Sequence, residues 1–230
     1  MPMRLHLQKL PTRSDFVETV YNVLVDAITD GTLAPGERIT QEEIAEQLHM
    51  SRSPVLQALR LLKKDGLIED APGRGVQVTP LDPGWVNQLY DVRGALDVLA
   101  AKLAARVHAK IDDGLFEEGR ISSQSGEMKK IIDTDIAFHH AIYKASGNAL
   151  IAETAGRYWI HLRRVMGAVH RLDTQRSTLW DEHLAIAQAI NAGDEDRAAL
   201  LTEQHIQRAK GNLVVQLRDK LSKEAIDKAA

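Results

Sequence analysis

The sequence predicts a mostly α-helical chain in two parts, a small N-terminal domain with a short β-hairpin and an all-α C-terminal bundle of about six helices. Three observations carry this. Only ten of the 230 residues are aromatic, beside abundant Ala, Leu and Ile, a composition of helices rather than of a β-sandwich. Apolar residues recur at helical spacing along most of the chain and alternate in only two short runs. Pro80, Pro83 and Gly84 break the pattern once, so the expected division is residues 1–79, a linker over 80–84, and residues 85–230. A chain of this length can bury one or two cores.

In the N-terminal part, Ser14 or Asp15 is expected to cap a helix over Phe16–Asp30, with Val17, Val20, Leu24, Ala27 and Ile28 inward. Leu33-Ala34-Pro35-Gly36 reads as a turn. A short helix over Gln41–Leu48 turns Ile44, Ala45 and Leu48 inward. Ser51 as a cap and Pro54 in the first turn start the next helix, whose inward stripe is Val55, Ala58, Leu59 and Leu62 and which stops near Gly66. Leu67–Glu69 and Val76–Thr79 then flank Pro72-Gly73-Arg74-Gly75, the pattern of a hairpin. In the C-terminal part, helices are expected over Trp85–Lys110, Asp113–Ser125, Ile131–Ala145, Asn148–His170, Arg176–Ala192 and Asp194–Lys220. Short connections make them a bundle. The tail Ser222–Ala230 is expected to fray, and Trp85, Trp159 and Trp180 are expected to be packing anchors.

Composition removes several function classes. With no Cys, disulfide scaffolds, thiolate zinc fingers and cysteine nucleophiles are excluded, and a reducing, cytoplasmic setting is expected. No apolar run is long enough to span a membrane, and MPMRLHLQKL lacks the apolar core of a signal peptide. The net charge of −3 is not that of a wholly basic nucleic-acid binder. Charge is nonetheless distributed unevenly: Met50–Lys64 carries Arg52, Arg60, Lys63 and Lys64 and no acid, a local stripe suited to phosphates.

The stripe lies on a helix-turn-helix pattern, QEEIAEQLHMSRSPVLQALRLL. Once the inward residues are assigned, Ser51, Arg52, Ser53 and Gln57 remain outward at the start of the second helix. Hydroxyls and an Arg at a helix N-terminus suit phosphate contact and base-edge readout in a major groove. Arg74 at the hairpin tip can reach the flanking backbone or minor groove. Here the sequence resembles the GntR family of winged-helix transcription regulators. The resemblance rests on Pro35-Gly36-Glu37-Arg38, Ile44-Ala45-Glu46 and Ser51-Arg52-Ser53-Pro54-Val55, in order and with the family's gaps. It implies a winged helix-turn-helix in which Arg38, Ser51, Arg52, Ser53, Arg74 and Gly75 approach double-stranded DNA. Leu56 stands where the family has a DNA-reading Arg, and His49 where Gly is common.

In the C-terminal part, inward stripes carry ligand-type residues on three helices. One reads Ile132, Ile136, His139 and Tyr143, with Asp135 one turn before His139; the second reads Leu179, His183, Ile186 and Ile190; the third reads Ala198, Leu201, His205 and Ala209. Burying three imidazoles and a carboxylate unpaired costs several kcal/mol. A divalent cation relieves that cost, and Asp135, His139, His183 and His205 are a set that Zn²⁺, Ni²⁺, Mn²⁺ or Fe²⁺ accepts, Zn²⁺ foremost. Such a centre carries about one net positive charge with open positions, and so attracts an anion, most simply a carboxylate. His140, His161 and His170 lie off these stripes.

This region resembles the FCD effector domain of the FadR-type subfamily. The matching residues are Asp135-Ile136-Ala137-Phe138-His139, Gly147-Asn148, Glu182-His183, His205, and Tyr90-Asp91-Val92-Arg93-Gly94-Ala95-Leu96-Asp97, in which Asp97 replaces the family's Glu. The resemblance implies metal binding by the four ligands and anchoring of a small organic acid by Arg93. The expected function is a ligand-responsive repressor, a homodimer on a short palindromic operator whose affinity the acid changes, and not an enzyme. A competing reading is a metal-dependent hydrolase or lyase domain fused to a winged helix, since an Asp/His₃ site can also activate water. Against it stands the absence of a His-Glu-x-x-His or nucleophile motif.

Overall fold

The structure is a computed structural model and describes residues 14–169 and 176–229. The expected cap or break at Asp173-Thr174 and the fate of His170 lie outside them. The chain divides into two compact units at Thr79–Pro80, the second unit also taking Thr29–Thr32.

The first unit contains α1 (Ser14–Thr29), β1 (Arg38–Ile39), α2 (Gln41–Gln47), α3 (Arg52–Lys64), β2 (Ile68–Asp70) and β3 (Val76–Val78). Ser14 and Asp15 lie within α1 as described rather than capping it. Val20, Leu24 and Ile28 are buried, while Val17 and Ala27 are half-buried. Thr40 starts α2 with a capping box, its side chain accepting from the Glu43 amide while the Glu43 carboxylate accepts from the Thr40 amide. The turn into α3 passes through His49 at φ 51, and the Met50 amide closes it by donating to the Ala45 carbonyl at 2.9 Å. Val55, Ala58, Leu59 and Leu62 are buried, as their spacing predicts. Ser51 is the N-cap residue of α3 but makes no capping side-chain bond.

The hairpin is joined by a third strand, giving the antiparallel order β1-β3-β2, with Arg38 opposite Gln77 and Ile68 opposite Val78. Strand β1 is only two residues long, too short for alternation to reveal it. Gly75 makes the arrangement possible. It has φ +95, and a Cβ there would lie 2.9 Å from the Ile39 carbonyl oxygen.

The second unit is all-α, with six helices among the described residues: α4 (Pro83–Arg106), α5 (Gly114–Ser125), α6 (Met128–Ala145), α7 (Ala149–Val169), α8 (Arg176–Ala192) and α9 (Glu195–Ala229). The expected linker is shorter than 80–84, because Asp82 caps α4 by accepting from the Gly84 amide at 2.8 Å, with Pro83 in the first turn. The described part of the tail is helical. Its Lys, Glu and Ala residues extend α9 to Ala229. Among the described residues no helix is long and apolar enough to cross a membrane.

Helix α4 packs along α9, and the core between the helices centres on Phe138, Tyr143, Trp180, Ile186, Ile190, Ile206 and Leu217. Trp159 and Trp180 are buried anchors, but Trp85 is 41 % exposed and rests edge-on against His161. Gly119 on α5 lets the Trp180 ring approach so closely that an added Cβ would lie 2.1 Å from it. Gly119→Ala therefore overpacks the junction of α5 and α8, and the expected loss is about 1–3 kcal/mol of stability. Chemical unfolding checks this, with the exposed Gly211→Ala as the comparison; equal midpoints for the two would contradict the packing described.

Candidate functional site

In the first unit, Ser51, Arg52, Ser53 and Gln57 are exposed at the start of α3, and Arg74 is exposed at the hairpin tip. The Gln41 side chain donates to the Arg52 carbonyl at 2.7 Å and ties the start of α3 to α2. Gln57 reaches the Ser53 hydroxyl at 3.4 Å. Arg38 donates to the Arg74 carbonyl, so the strand and the hairpin tip are joined. Leu56 is outward-facing and 39 % exposed. One participant went unnoticed in the sequence: Glu42 Oε1 pairs with Arg52 at 3.2 Å and with Arg74 at 3.4 Å. Glu42 reads in the sequence only as one of several acids in α2. Its role as a bridge exists only once the hairpin folds back over the helix.

In the second unit, helices α4, α6, α8 and α9 converge on one buried polar cluster. His139, His183 and His205 are buried, and each offers a ring nitrogen such that all three atoms lie within 4.8 Å of one another, so the triad can hold a metal ion. Asp135, also buried, stands beside the triad with Oδ1 3.5 Å from His183 Nε2. His139 Nε2 and both ring nitrogens of His183 are buried without a hydrogen-bond partner. The Phe138 ring stacks on His183 at 4.0 Å and closes its far side. Orphaned neutral imidazoles beside a carboxylate are the donor set a borderline divalent cation accepts, so these residues fit such an ion.

Two carboxylates that periodicity alone did not single out stand behind the imidazoles. Glu182 accepts from Arg208 at 2.9 Å and lies 2.9 Å from His205 Nδ1. Asp97 accepts from the Tyr143 hydroxyl and lies 3.1 Å from Arg93 Nε. Arg93 is itself buried, with its guanidinium 4.0 Å from the centre of the Trp159 ring and Nη2 lacking a hydrogen-bond partner. A cavity of about 150 Å³ opens onto Arg93, Asp135, His139, Glu182, His205 and Arg208, with Ile131, Met166, Leu179 and Leu213 as apolar walls. That volume admits a ligand of only a few heavy atoms.

His140 is exposed, Arg163 pairs with Asp133, and Arg164 is buried.

Burial raises the pKa of Asp97 and of Asp135, against the pull of Arg93 on both. Burial first, then the positive charge of Arg93 and the neighbouring imidazoles, holds His139 and His183 well below the ordinary 6.5. Glu182 goes the other way: burial raises it, but the hydrogen bonds from His205 and Arg208 outweigh that and leave it lowered.

The family profile of the FCD domain matches residues 88–208, and that of "Bacterial regulatory proteins, gntR family" matches residues 16–78. The chain is similar to the transcriptional regulator LutR of Bacillus subtilis, 30 % identical over 205 residues that cover 78 % of this chain and 92 % of that protein. It is 27 % identical over 198 residues to a probable D-xylose utilization operon transcriptional repressor of Paenarthrobacter nicotinovorans, covering 85 % of this chain and 87 % of the other. Its fold is that of the solved structure of E. coli McbR/YncC, with a TM-score of 0.74 and 22 % identity over 87 % of this chain and 98 % of that one.

The buried imidazoles make folding pH-dependent in a known sense. Below about 6.5 the unfolded chain protonates His139 and His183 while the folded chain does not, so stability is retained above that pH and lost as pH falls from it. The raised carboxylates act oppositely, their stabilisation being lost as pH rises through their folded values. Comparison with His183→Gln isolates one imidazole. In urea unfolding of chelator-treated protein between pH 7.5 and 5.5, the wild type should lose about 1.4 kcal/mol more than the variant over the whole range. Parallel curves would contradict the assignment.

Proposed function

Because the chain belongs to the gntR family of bacterial regulatory proteins and carries an FCD domain, and is accordingly a DNA-binding transcription regulator and not an enzyme, we propose that it is a cytoplasmic repressor controlled by a small organic acid held at a divalent metal. The observation that carries the metal and acid part is the buried triad of His139, His183 and His205, whose ring nitrogens, those of His183 and Nε2 of His139 unpaired, meet beside a small cavity lined by His139, His205 and Arg93. Asp135, His139, His183 and His205 are the ligands in this reading, Zn²⁺ being the expected ion. One carboxylate among four ligands leaves the centre positive, and Arg93 supplies a planar donor for the far end of the acid. The cavity volume limits that acid to a small one.

On the DNA side, Ser51, Arg52, Ser53 and Gln57 enter the major groove in this reading. Arg38 and Arg74 hold the flanking backbone, and Gly75 allows the hairpin tip its approach. A palindromic operator requires two recognition helices held at a fixed spacing, hence a homodimer. The name of the Paenarthrobacter relative supports the repressor reading. Acid binding would shift operator affinity through a coupling free energy between the two sites.

Arg52→Ala should weaken binding to an operator selected from random duplexes by roughly 1–3 kcal/mol, by fluorescence anisotropy at fixed salt. The exposed Arg157→Ala, which lies in the other unit, should leave binding unchanged. Equal losses would remove Arg52 from base readout. Native mass spectrometry of the purified protein should find one divalent metal per chain together with a retained acid. His183→Ala should lose the metal, and with it calorimetric binding of that acid. Undiminished acid binding by metal-free His183→Ala would take the metal out of the mechanism.

A further inference from the structure

The triad is not symmetric in its surroundings. His205 has a carboxylate of its own, Glu182, within hydrogen-bond distance of Nδ1. His183 makes no hydrogen bond at either ring nitrogen, with Asp135 Oδ1 3.5 Å from its Nε2. His139 shares its carboxylate: its Nδ1 lies 3.6 Å from Asp97 Oδ2, just beyond a hydrogen bond, and the same oxygen lies 3.1 Å from Arg93 Nε. Asp97 Oδ2 forms a hydrogen bond with neither, although Asp97, Arg93 and His139 are all buried and no solvent screens them. The other oxygen is fixed by the Tyr143 hydroxyl, which also accepts from the Trp159 indole at 3.3 Å. Asp97 is therefore anchored at one oxygen and shared at the other.

We infer that Asp97 is a positioning residue that couples the metal centre to the acid anchor, its free oxygen dividing its charge between His139 and Arg93. The inference rests on the metal reading above. A carboxylate at one ring nitrogen of a histidine fixes the proton there and leaves the lone pair on the other, which for His139 is the orphaned Nε2. Arg93 competes for that carboxylate. When an acid neutralises Arg93, the charge of Asp97 turns fully to His139 Nδ1 and strengthens the imidazole as a ligand. When His139 ligates, it draws Asp97 away and leaves the Arg93 guanidinium to the acid. Linkage makes the two effects equal in free energy, so one shared oxygen suffices to make metal and acid reinforce each other.

Zn²⁺ titrated against a chromophoric chelator, with the full-length chain and four variants, tests this. Asp97→Asn should weaken Zn²⁺ binding about 10- to 100-fold, the usual effect of removing such a partner. Asp97→Glu should restore affinity to within a few-fold, since it returns the charge. Arg93→Gln should raise Zn²⁺ affinity when Asp97 is present and raise it less in the Asp97→Asn background, because its effect runs through Asp97. The double variant also removes both buried charges together, so it tests the inference even where Asp97→Asn alone leaves Arg93 too costly to bury; it should bind Zn²⁺ more weakly than Arg93→Gln alone. Wild-type affinity in Asp97→Asn, or an equal effect of Arg93→Gln in both backgrounds, would overturn the coupling and leave the metal reading intact. Failure of the wild type to bind Zn²⁺ would overturn the metal reading and the coupling with it.

Discussion

Burying polar side chains among helices without partners costs free energy, and the second unit concentrates that cost in one place. Four helices send three imidazoles, two aspartates and an arginine into a region otherwise filled by Phe138, Trp159, Trp180 and Ile206. Leaving a buried donor or acceptor unpaired costs about 1–3 kcal/mol each. Several of these atoms are unpaired nonetheless. A bundle that needed only stability would fill these positions with Leu or Ile. Their persistence on the inward faces of α4, α6, α8 and α9 makes sense if a cation and an anion complete the set. The architecture is what brings them together: side chains from α6, α8 and α9 can meet only if the helices keep their registers.

Most of this was legible in the sequence because helical periodicity is a strong signal over fifteen or more residues. The inward stripes through His139, His183 and His205 follow from spacing alone, and the structure brings all three together. What stayed hidden depended on single contacts across the fold. Strand β1 is too short to show a period. The partnership of Asp97 with Arg93 is an i,i+4 pair that in sequence resembles an ordinary solvated ion pair; only burial distinguishes it. Glu182 sits beside His183 in sequence yet serves His205 on another helix. The end of α9 was misjudged because its residues lack an apolar stripe, although Lys, Glu and Ala favour helix without one.

The two sites use the same chemistry, arginine beside carboxylate, under opposite conditions. Around Glu42, the side chains of Arg52 and Arg74 are mostly exposed, and such pairs contribute about 0–1 kcal/mol in water. They are readily exchanged for phosphate, which carries more charge and comes in a regular array. Glu42 therefore keeps the two cations together near the start of α3 without committing them. Around Asp97, the pair is buried, and removing either member strands the other charge in the core. That pair cannot be exchanged for solvent, only for a ligand that brings its own charge. An exposed pair suits a surface that must meet many sequences weakly and one tightly. A buried pair suits a pocket that must stay closed to everything except an anion of the right size. In the proposed reading the same two residue types thus serve a permissive surface in one unit and a selective interior in the other, and the difference between them is the dielectric in which each pair sits.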